Sequence, residues 1–243
     1  MTTAPPPPHA SIEALPPEVR ARLDALRDAL AKALGDGLVA LIVFGSAARG
    51  AWRPGKSDVD VMVVLRDDGR EVLERIAHPL LAARYAARIE AILLRESEVG
   101  RAADVFPLLY DEVREDGVVV HGESPFARLH ISDKHRRLRI EQELREARIR
   151  MRRMVTDGDG APAALANVVD RKLRQVRSPL RALLRLDGAD PGAGLDEVVR
   201  AAGKRFEVPV DALAKPSDNG AAAHDALARL LDAAIDDVDK RDE

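Results

Sequence analysis

The sequence predicts an α+β domain followed by an all-α helical bundle. Every strand-like segment lies in the first half of the chain, where apolar runs such as Leu38–Phe44 and Val59–Leu65 alternate with amphipathic segments of helical period. From Ser132 onward the strand signals vanish and only helical segments follow. We therefore expect two folded parts of different class.

The boundaries of these parts follow from local composition. A run of four prolines, Pro5–Pro8, predicts a disordered or extended tail over residues 1–16. The α+β domain is expected over residues 17–125, and the helical bundle over residues 130–243.

The elements of the first domain are predicted from apolar spacing and from turn residues. In chain order they are a helix over Pro17–Leu34, strands over Leu38–Phe44 and Val59–Leu65, a helix over Arg70–Ala86 interrupted near Pro79, a strand over Arg88–Leu94, a helix capped by Ser97 and broken before Pro107, and a short strand over Val118–Val120. The helices of the second domain are expected over Ser132–Val155, Pro162–Arg177, a segment starting at Ser178-Pro179, Leu195–Phe206 and Ala221–Val238, with a flexible turn over Thr156–Gly160.

Composition narrows the function classes. The 243 residues carry a net charge of −3, too near neutral for general attraction to nucleic acid or to a membrane surface. The absence of cysteine excludes disulfides, thiol catalysis and cysteine metal sites. No apolar run is long enough to span a membrane, and the N-terminus lacks the pattern of a signal peptide, so we expect no membrane partner and a cytoplasmic location.

The most informative motif is Gly45-Ser46, followed after an eleven-residue loop by Asp58-Val59-Asp60. Free backbone amides in the tight turn at Gly45, together with the Ser46 hydroxyl, can bind phosphate oxygens. Asp58 and Asp60 project to the same face of a strand, because side chains alternate along it. Two adjacent carboxylates favour a bound Mg²⁺, which combines one or two carboxylates with nucleotide phosphate oxygens.

At these residues the chain resembles small bacterial nucleotidyltransferases of the DNA polymerase beta superfamily. The resemblance includes Ala48-Arg49-Gly50, and the loop before Asp58 is one residue longer than the commonest spacing. It implies a mixed sheet, a third carboxylate on a later strand, and an ATP or other NTP substrate held by Gly45, Ser46 and Arg49. For Arg49, a surface salt bridge is an equally good interpretation.

Glu90 is the predicted third carboxylate, because it is the only acid in the strand-like run Arg88–Leu94 and an unpaired charge in a buried strand is costly. The alternative is an edge strand on which Glu90 faces solvent beside Arg88. The resemblance implies catalysis by Asp58, Asp60 and Glu90 with two Mg²⁺ ions, one held by all three and one by the two aspartates.

Two predicted helices are strongly basic. Residues 134–153 contain nine Lys and Arg against three Glu, and residues 171–185 contain six basic residues and no acid. These charges can pair with the acids of the C-terminal helix, or they can face the cleft and bind an anion. Stacking aromatics are nearly absent, which disfavours single-stranded nucleic acid.

Three functions remain open. The first is transfer of NMP, with AMP from ATP as the favoured choice, to a hydroxyl of a small molecule with release of pyrophosphate; Glu123, Glu141 and Glu143 are the acids available for a cationic acceptor. The second is an antitoxin-like adenylyltransferase that modifies a protein or RNA. The third is a non-catalytic nucleotide-binding module. A homodimer that completes the cleft is also compatible with the sequence.

Overall fold

A computed structural model describes residues 11–157 and 162–241 and divides the chain into two compact units between Ile131 and Ser132. The predicted tail falls mostly outside the described residues, but its last part packs on the first unit. Leu15 is buried, and the Ser11 backbone N–H donates to the Ala48 carbonyl at 2.9 Å.

The first unit is built on a four-stranded mixed sheet, as predicted. The strands lie in the order β3-β2-β1-β4, with β1 antiparallel to both of its neighbours and β3 parallel to β2. Their bounds are β1 Leu38–Phe44, β2 Val59–Leu65, β3 Ile89–Arg95 and β4 Val118–Gly122.

Five α-helices accompany this sheet in the described residues: α1 Pro17–Leu34, α2 Gly45–Ala48, α3 Arg70–Ala87, α4 Glu96–Val99 and α5 Pro107–Asp116. A short 3-10 helix, Gly35–Gly37, connects α1 to β1. Helices α1 and α3 cover one face, where Leu23, Leu30 and Ile76 pack on the strands. Helix α5 covers the other face through Tyr110 and Val113. The α+β class is confirmed, because the helices pack on a single mixed sheet in which β1 is antiparallel to both neighbours and only β2 and β3 form a parallel pair, joined by α3.

Two local predictions in this unit are wrong. Helix α3 continues through Pro79 instead of being interrupted there. The lost hydrogen bond is outweighed by burial of one helix face, which includes Ile76 and Ala83. Ser97 does not cap a helix, because α4 begins one residue earlier, with Arg95 in the N-cap position.

The second unit contains helices and no strand among its described residues 132–157 and 162–241. They are α6 Asp133–Asp157, α7 Pro162–Leu186, α8 Leu195–Arg205, α9 Asp211–Ala214 and α10 Gly220–Asp239. Ser132 caps α6 as predicted, since its hydroxyl accepts from the His135 backbone N–H at 3.3 Å. The expected break at Ser178-Pro179 is absent, because α7 runs through it with apolar residues buried on both sides, including Val176 and Leu180. Thr156 and Asp157 of the predicted flexible turn belong to α6 instead, and its remaining residues, 158–160, lie outside the described residues.

The basic helices of this unit pair extensively with acids. Between α6 and α10, Arg148 binds Asp232 through two hydrogen bonds of 2.7 and 2.9 Å, and Arg145 binds Asp239 at 2.7 and 2.8 Å. Further pairs lie along the helices themselves: Arg136–Asp133, Arg139–Glu143, Arg150–Glu146, Arg153–Asp157 and Arg174–Asp170. The structure thus favours the pairing interpretation over an unneutralised basic surface.

Within the described ranges, no helix combines the length and the apolar character needed to cross a membrane.

Candidate active site

The predicted carboxylates meet at one edge of the sheet. Chain direction brings the end of β1 beside the starts of β2 and β3. In the ladder, Asp60 lies opposite Phe44 on one side and Glu90 on the other. Asp58 immediately precedes β2, and its negative charge acts on Asp60. Glu90, which is distant from the two aspartates in sequence, is therefore a close neighbour of Asp60 in space.

Gly45 is packed directly against the Asp60 carboxylate. Its φ of +71° lies in the left-handed region, which favours glycine. A Cβ at this position would lie 2.6 Å from Asp60 Oδ2. The residue that starts the predicted phosphate-binding turn therefore also leaves the space that the Asp60 carboxylate occupies.

Asp60 has the most perturbed charge in the site. Burial, followed by the negative charges of Asp58, Glu112 and Glu90, raises the pKa of its carboxyl to about 6, and the positive charge of Arg49 opposes this shift. A carboxylate in this position gains from a nearby cation, because a positive charge offsets both the repulsion and the lost hydration.

Glu112 is a residue of this site that the sequence did not reveal. It lies on α5, and its carboxylate accepts a hydrogen bond from Arg49 Nη1. The two side chains are only 15% and 11% exposed, so they form a largely buried ion pair that ties the turn at α2 to α5. Pro107 signals the start of this helix, but nothing in the sequence distinguishes Glu112 from the other acids of α5.

This pair bears on the predicted role of Arg49. The salt-bridge interpretation describes its contact correctly, although the bridge is largely buried rather than on the surface. Phosphate binding by Gly45, Ser46 and Arg49 stays a prediction.

Asp58 and Glu90, the other two predicted catalytic carboxylates, are each bound to an arginine. Arg88 Nε donates to Asp58 Oδ1 at 2.7 Å, and Arg84 Nε donates to Glu90 Oε1 at 2.9 Å. Strand β3 is an edge strand and the Glu90 side chain is 40% exposed, as the alternative interpretation expected, but its partner is Arg84 rather than Arg88. Glu90 nevertheless lies beside Asp60.

The donor set suits Mg²⁺, although its side chains are not gathered around a common point. Across residues 11–157 and 162–241, no group of three or more His, Asp or Glu side chains is arranged to hold a metal ion. Asp58, Asp60 and Glu90 supply the hard oxygen ligands that Mg²⁺ prefers, and the raised pKa of Asp60 marks a place where a cation is favourable. Their role as metal ligands stays a prediction.

Comparison of the sequence with models of known protein families identifies the family of this chain. A family model described as a nucleotidyltransferase domain matches residues 23–149, more than half of the chain. The chain belongs to the nucleotidyltransferase domain family. The expected resemblance to nucleotidyltransferases of the polymerase beta superfamily, and the prediction that the chain is a nucleotidyltransferase enzyme, are confirmed. A search of curated proteins finds no match.

Structural comparison extends the likeness beyond the matched domain. The nucleotidyltransferase is similar to the crystal structure of spectinomycin adenyltransferase from Enterococcus faecialis, which was determined with ATP and spectinomycin. The TM-score is 0.50 at 14% sequence identity, and the alignment covers 91% of this chain and 98% of the other. At this identity the comparison concerns the fold, and its coverage shows that the α+β domain followed by further helices is shared.

Proposed function

We propose that this nucleotidyltransferase transfers AMP from ATP to a hydroxyl group of a small molecule and releases pyrophosphate. The observation that carries the proposal is the juxtaposition of Asp58, Asp60 and Glu90 with the turn at Gly45-Ser46. A site for transferring a nucleotide needs these two parts side by side, one for the phosphates and one for the cations that neutralise them.

Each residue has a proposed role. The backbone amides of the turn and the Ser46 hydroxyl bind oxygens of the triphosphate. Asp58, Asp60 and Glu90 would hold Mg²⁺, which when bound supplies positive charge to the phosphates and lowers the pKa of the acceptor hydroxyl. The Glu90 carboxylate takes the hydroxyl proton. The acceptor oxygen then forms a bond to the α-phosphorus while the bond from that phosphorus to the bridging oxygen breaks, and pyrophosphate leaves.

A small-molecule acceptor is favoured over RNA by the charge pairing of the helical unit. Arg145 and Arg148 on α6 are bound to acids of α10 and are not left to bind a polyanion. The similar adenyltransferase was determined with ATP and spectinomycin, which is a small molecule rather than a nucleic acid. We therefore choose hydroxylated small molecules, spectinomycin among them, as the first acceptors to test.

The proposal is tested by incubating the protein with Mg²⁺ and ATP labelled at the α-phosphate, in the presence of spectinomycin, a lincosamide, tRNA or a cell lysate. We expect label in a small-molecule product, and we expect Asp58→Ala and Asp60→Ala to abolish transfer without loss of the fold. Asp67→Ala is the matched control, because this aspartate lies beyond the opposite end of β2 and is 66% exposed. Label confined to RNA or protein would instead support the antitoxin-like activity. ATP binding without any transfer would leave a non-catalytic binding module.

A further inference from the structure

Two arginines at the end of α3 contact the predicted catalytic carboxylates. Arg84 lies in the last turn of the helix, and Arg88 is its C-cap residue. Arg84 binds Glu90, and Arg88 binds Asp58. Two of the three acids therefore already have a positive partner supplied by the chain itself.

Arg88 is held in place by its backbone as well as by its side chain. Its φ of 53° and ψ of 41° place it in the left-handed conformation, which is uncommon for a residue other than glycine. Its carbonyl accepts from the Val59 N–H at 3.0 Å, beside Asp58, and its Nη1 donates to the Gly55 carbonyl at 3.3 Å. The guanidinium is thus anchored between the loop before β2 and the carboxylate.

These contacts oppose the binding of a divalent cation. A guanidinium within hydrogen-bonding distance of a ligand oxygen neutralises part of its charge, and it repels a cation that approaches the same oxygen. The same contacts account for the divergence of Asp58 and Glu90, whose carboxylates turn toward different arginines.

We propose that Arg84 and Arg88 act as internal cations that hold Glu90 and Asp58 in the metal-free protein and are displaced from them by Mg²⁺. This inference rests on the proposed function, since it assumes that these carboxylates bind the metal. The two arginines are positioning residues: they lower the affinity for free Mg²⁺ and stabilise the separated carboxylates until a metal–nucleotide complex enters the site.

The test measures metal binding directly, with Mn²⁺ as the probe, by electron paramagnetic resonance in the absence of nucleotide. We expect Arg88→Gln and Arg84→Gln to bind Mn²⁺ about three- to tenfold more tightly than the wild type, because each change removes one competing positive charge. Arg88→Lys keeps the charge and should stay close to the wild type. Arg70→Gln is the matched control, because Arg70 lies on the same helix and pairs with Glu74.

Thermal unfolding in EDTA provides a second readout. Loss of either arginine leaves a carboxylate without its partner, so both Gln variants should unfold at a lower temperature in EDTA and gain more from added Mg²⁺ than the wild type does. Folding of each variant is checked by circular dichroism, and the two positions provide independent tests should one of them fail to fold.

The Asp58→Asn variant distinguishes failure of the internal-cation proposal from failure of the proposed function. If wild-type protein binds Mn²⁺ and Asp58→Asn weakens binding, while folded Arg84→Gln and Arg88→Gln bind it no more tightly than the wild type, the internal-cation proposal is overturned and the metal site stands. If Asp58→Asn binds Mn²⁺ as well as the wild type does, the carboxylates are not the metal site and the proposed function fails with it.

Discussion

Gly45 and Asp60 constrain each other at the scale of single residues. Gly45 has a positive φ, which lets the chain turn after β1, and because it has no side chain it leaves room for Asp60 Oδ2. The Asp60 carboxylate in turn is partly buried and lies near the negative charges of Asp58, Glu112 and Glu90, which makes its own negative charge unfavourable. The site therefore combines a close contact with a poorly neutralised charge, both of which can be tested by substitution.

We predict that Gly45→Ala lowers nucleotidyl transfer by about 10²-fold, because displacing a catalytic group by roughly 1 Å costs about that much. Gly35→Ala is the control. Gly35 also has a positive φ, of +54°, so alanine strains its backbone, but no atom lies within 4 Å of the added Cβ. Steady-state rates and unfolding curves of both variants provide the check. Equal losses of activity in the two variants would contradict a specific effect on Asp60.

We predict that Asp60→Asn stabilises the metal-free protein at neutral pH while abolishing turnover. The folded-state pKa of about 6 exceeds the ordinary value of 3.8, so the native state binds more protons between these values and loses stability as pH rises through them. Asparagine carries no charge and avoids this loss, so we expect Asp60→Asn to raise the free energy of unfolding by about 1–3 kcal/mol above pH 6 and by little below pH 4.

Chemical denaturation in EDTA at pH 4 and pH 7.5 measures this difference. Asp58→Asn is the control, because it removes an ion pair with Arg88 and is not expected to stabilise the protein. A pH-independent effect of Asp60→Asn would show that its charge is not the cause.

At the scale of elements, the ion pair of Arg49 and Glu112 joins the short helix α2 to α5. The pair is largely buried, so each member depends on the other for compensation of its charge. It also holds a positive and a negative charge close to Asp60. The predicted phosphate-binding turn is thus linked to a helix that follows it by about sixty residues in the chain.

A double-mutant cycle tests this tie between elements. We predict that Arg49→Gln and Glu112→Gln each destabilise the protein and that the double variant loses less than the sum, with a coupling energy of about 1–3 kcal/mol. The exposed pair Arg70–Glu74 provides a control cycle with a coupling of about 0.5 kcal/mol or less. Additive effects of Arg49→Gln and Glu112→Gln in urea denaturation would show that the contact contributes nothing.

At the scale of the whole molecule, the two units differ in the interactions that stabilise them. The first unit buries apolar residues on both faces of its sheet. The second adds a network of charges to its apolar core, with Asp187 and Asp237 bound by Arg205 and Arg241. Asp187 is partly buried, which raises its pKa, but hydrogen bonds from these arginines outweigh the effect and lower it.

For the whole protein we predict that Mg²⁺ and ATP together raise the midpoint of thermal unfolding. A ligand that binds only the native state stabilises that state, and at a ligand concentration of a hundred times Kd the stabilisation is about 2.7 kcal/mol. EDTA should reverse the shift, and Asp60→Ala should not show it. Differential scanning fluorimetry with each component alone is the control. A shift by ATP that persists in EDTA would argue against metal-dependent binding.

The sequence by itself determined the fold class, the bounds of β1 and β2, the positions of β3 and β4 to within two residues, and the three acids at the sheet edge. These features depend on local signals, since apolar runs of strand length and the Gly45-Ser46 turn need no distant partner to be interpreted. Only the tertiary structure decided that Glu112 joins the site, that Arg84 and Arg88 bind its acids, and that α7 continues through Pro179. Those outcomes depend on contacts between residues distant in sequence and on burial that outweighs a local helix breaker, and neither is encoded in a short stretch of chain.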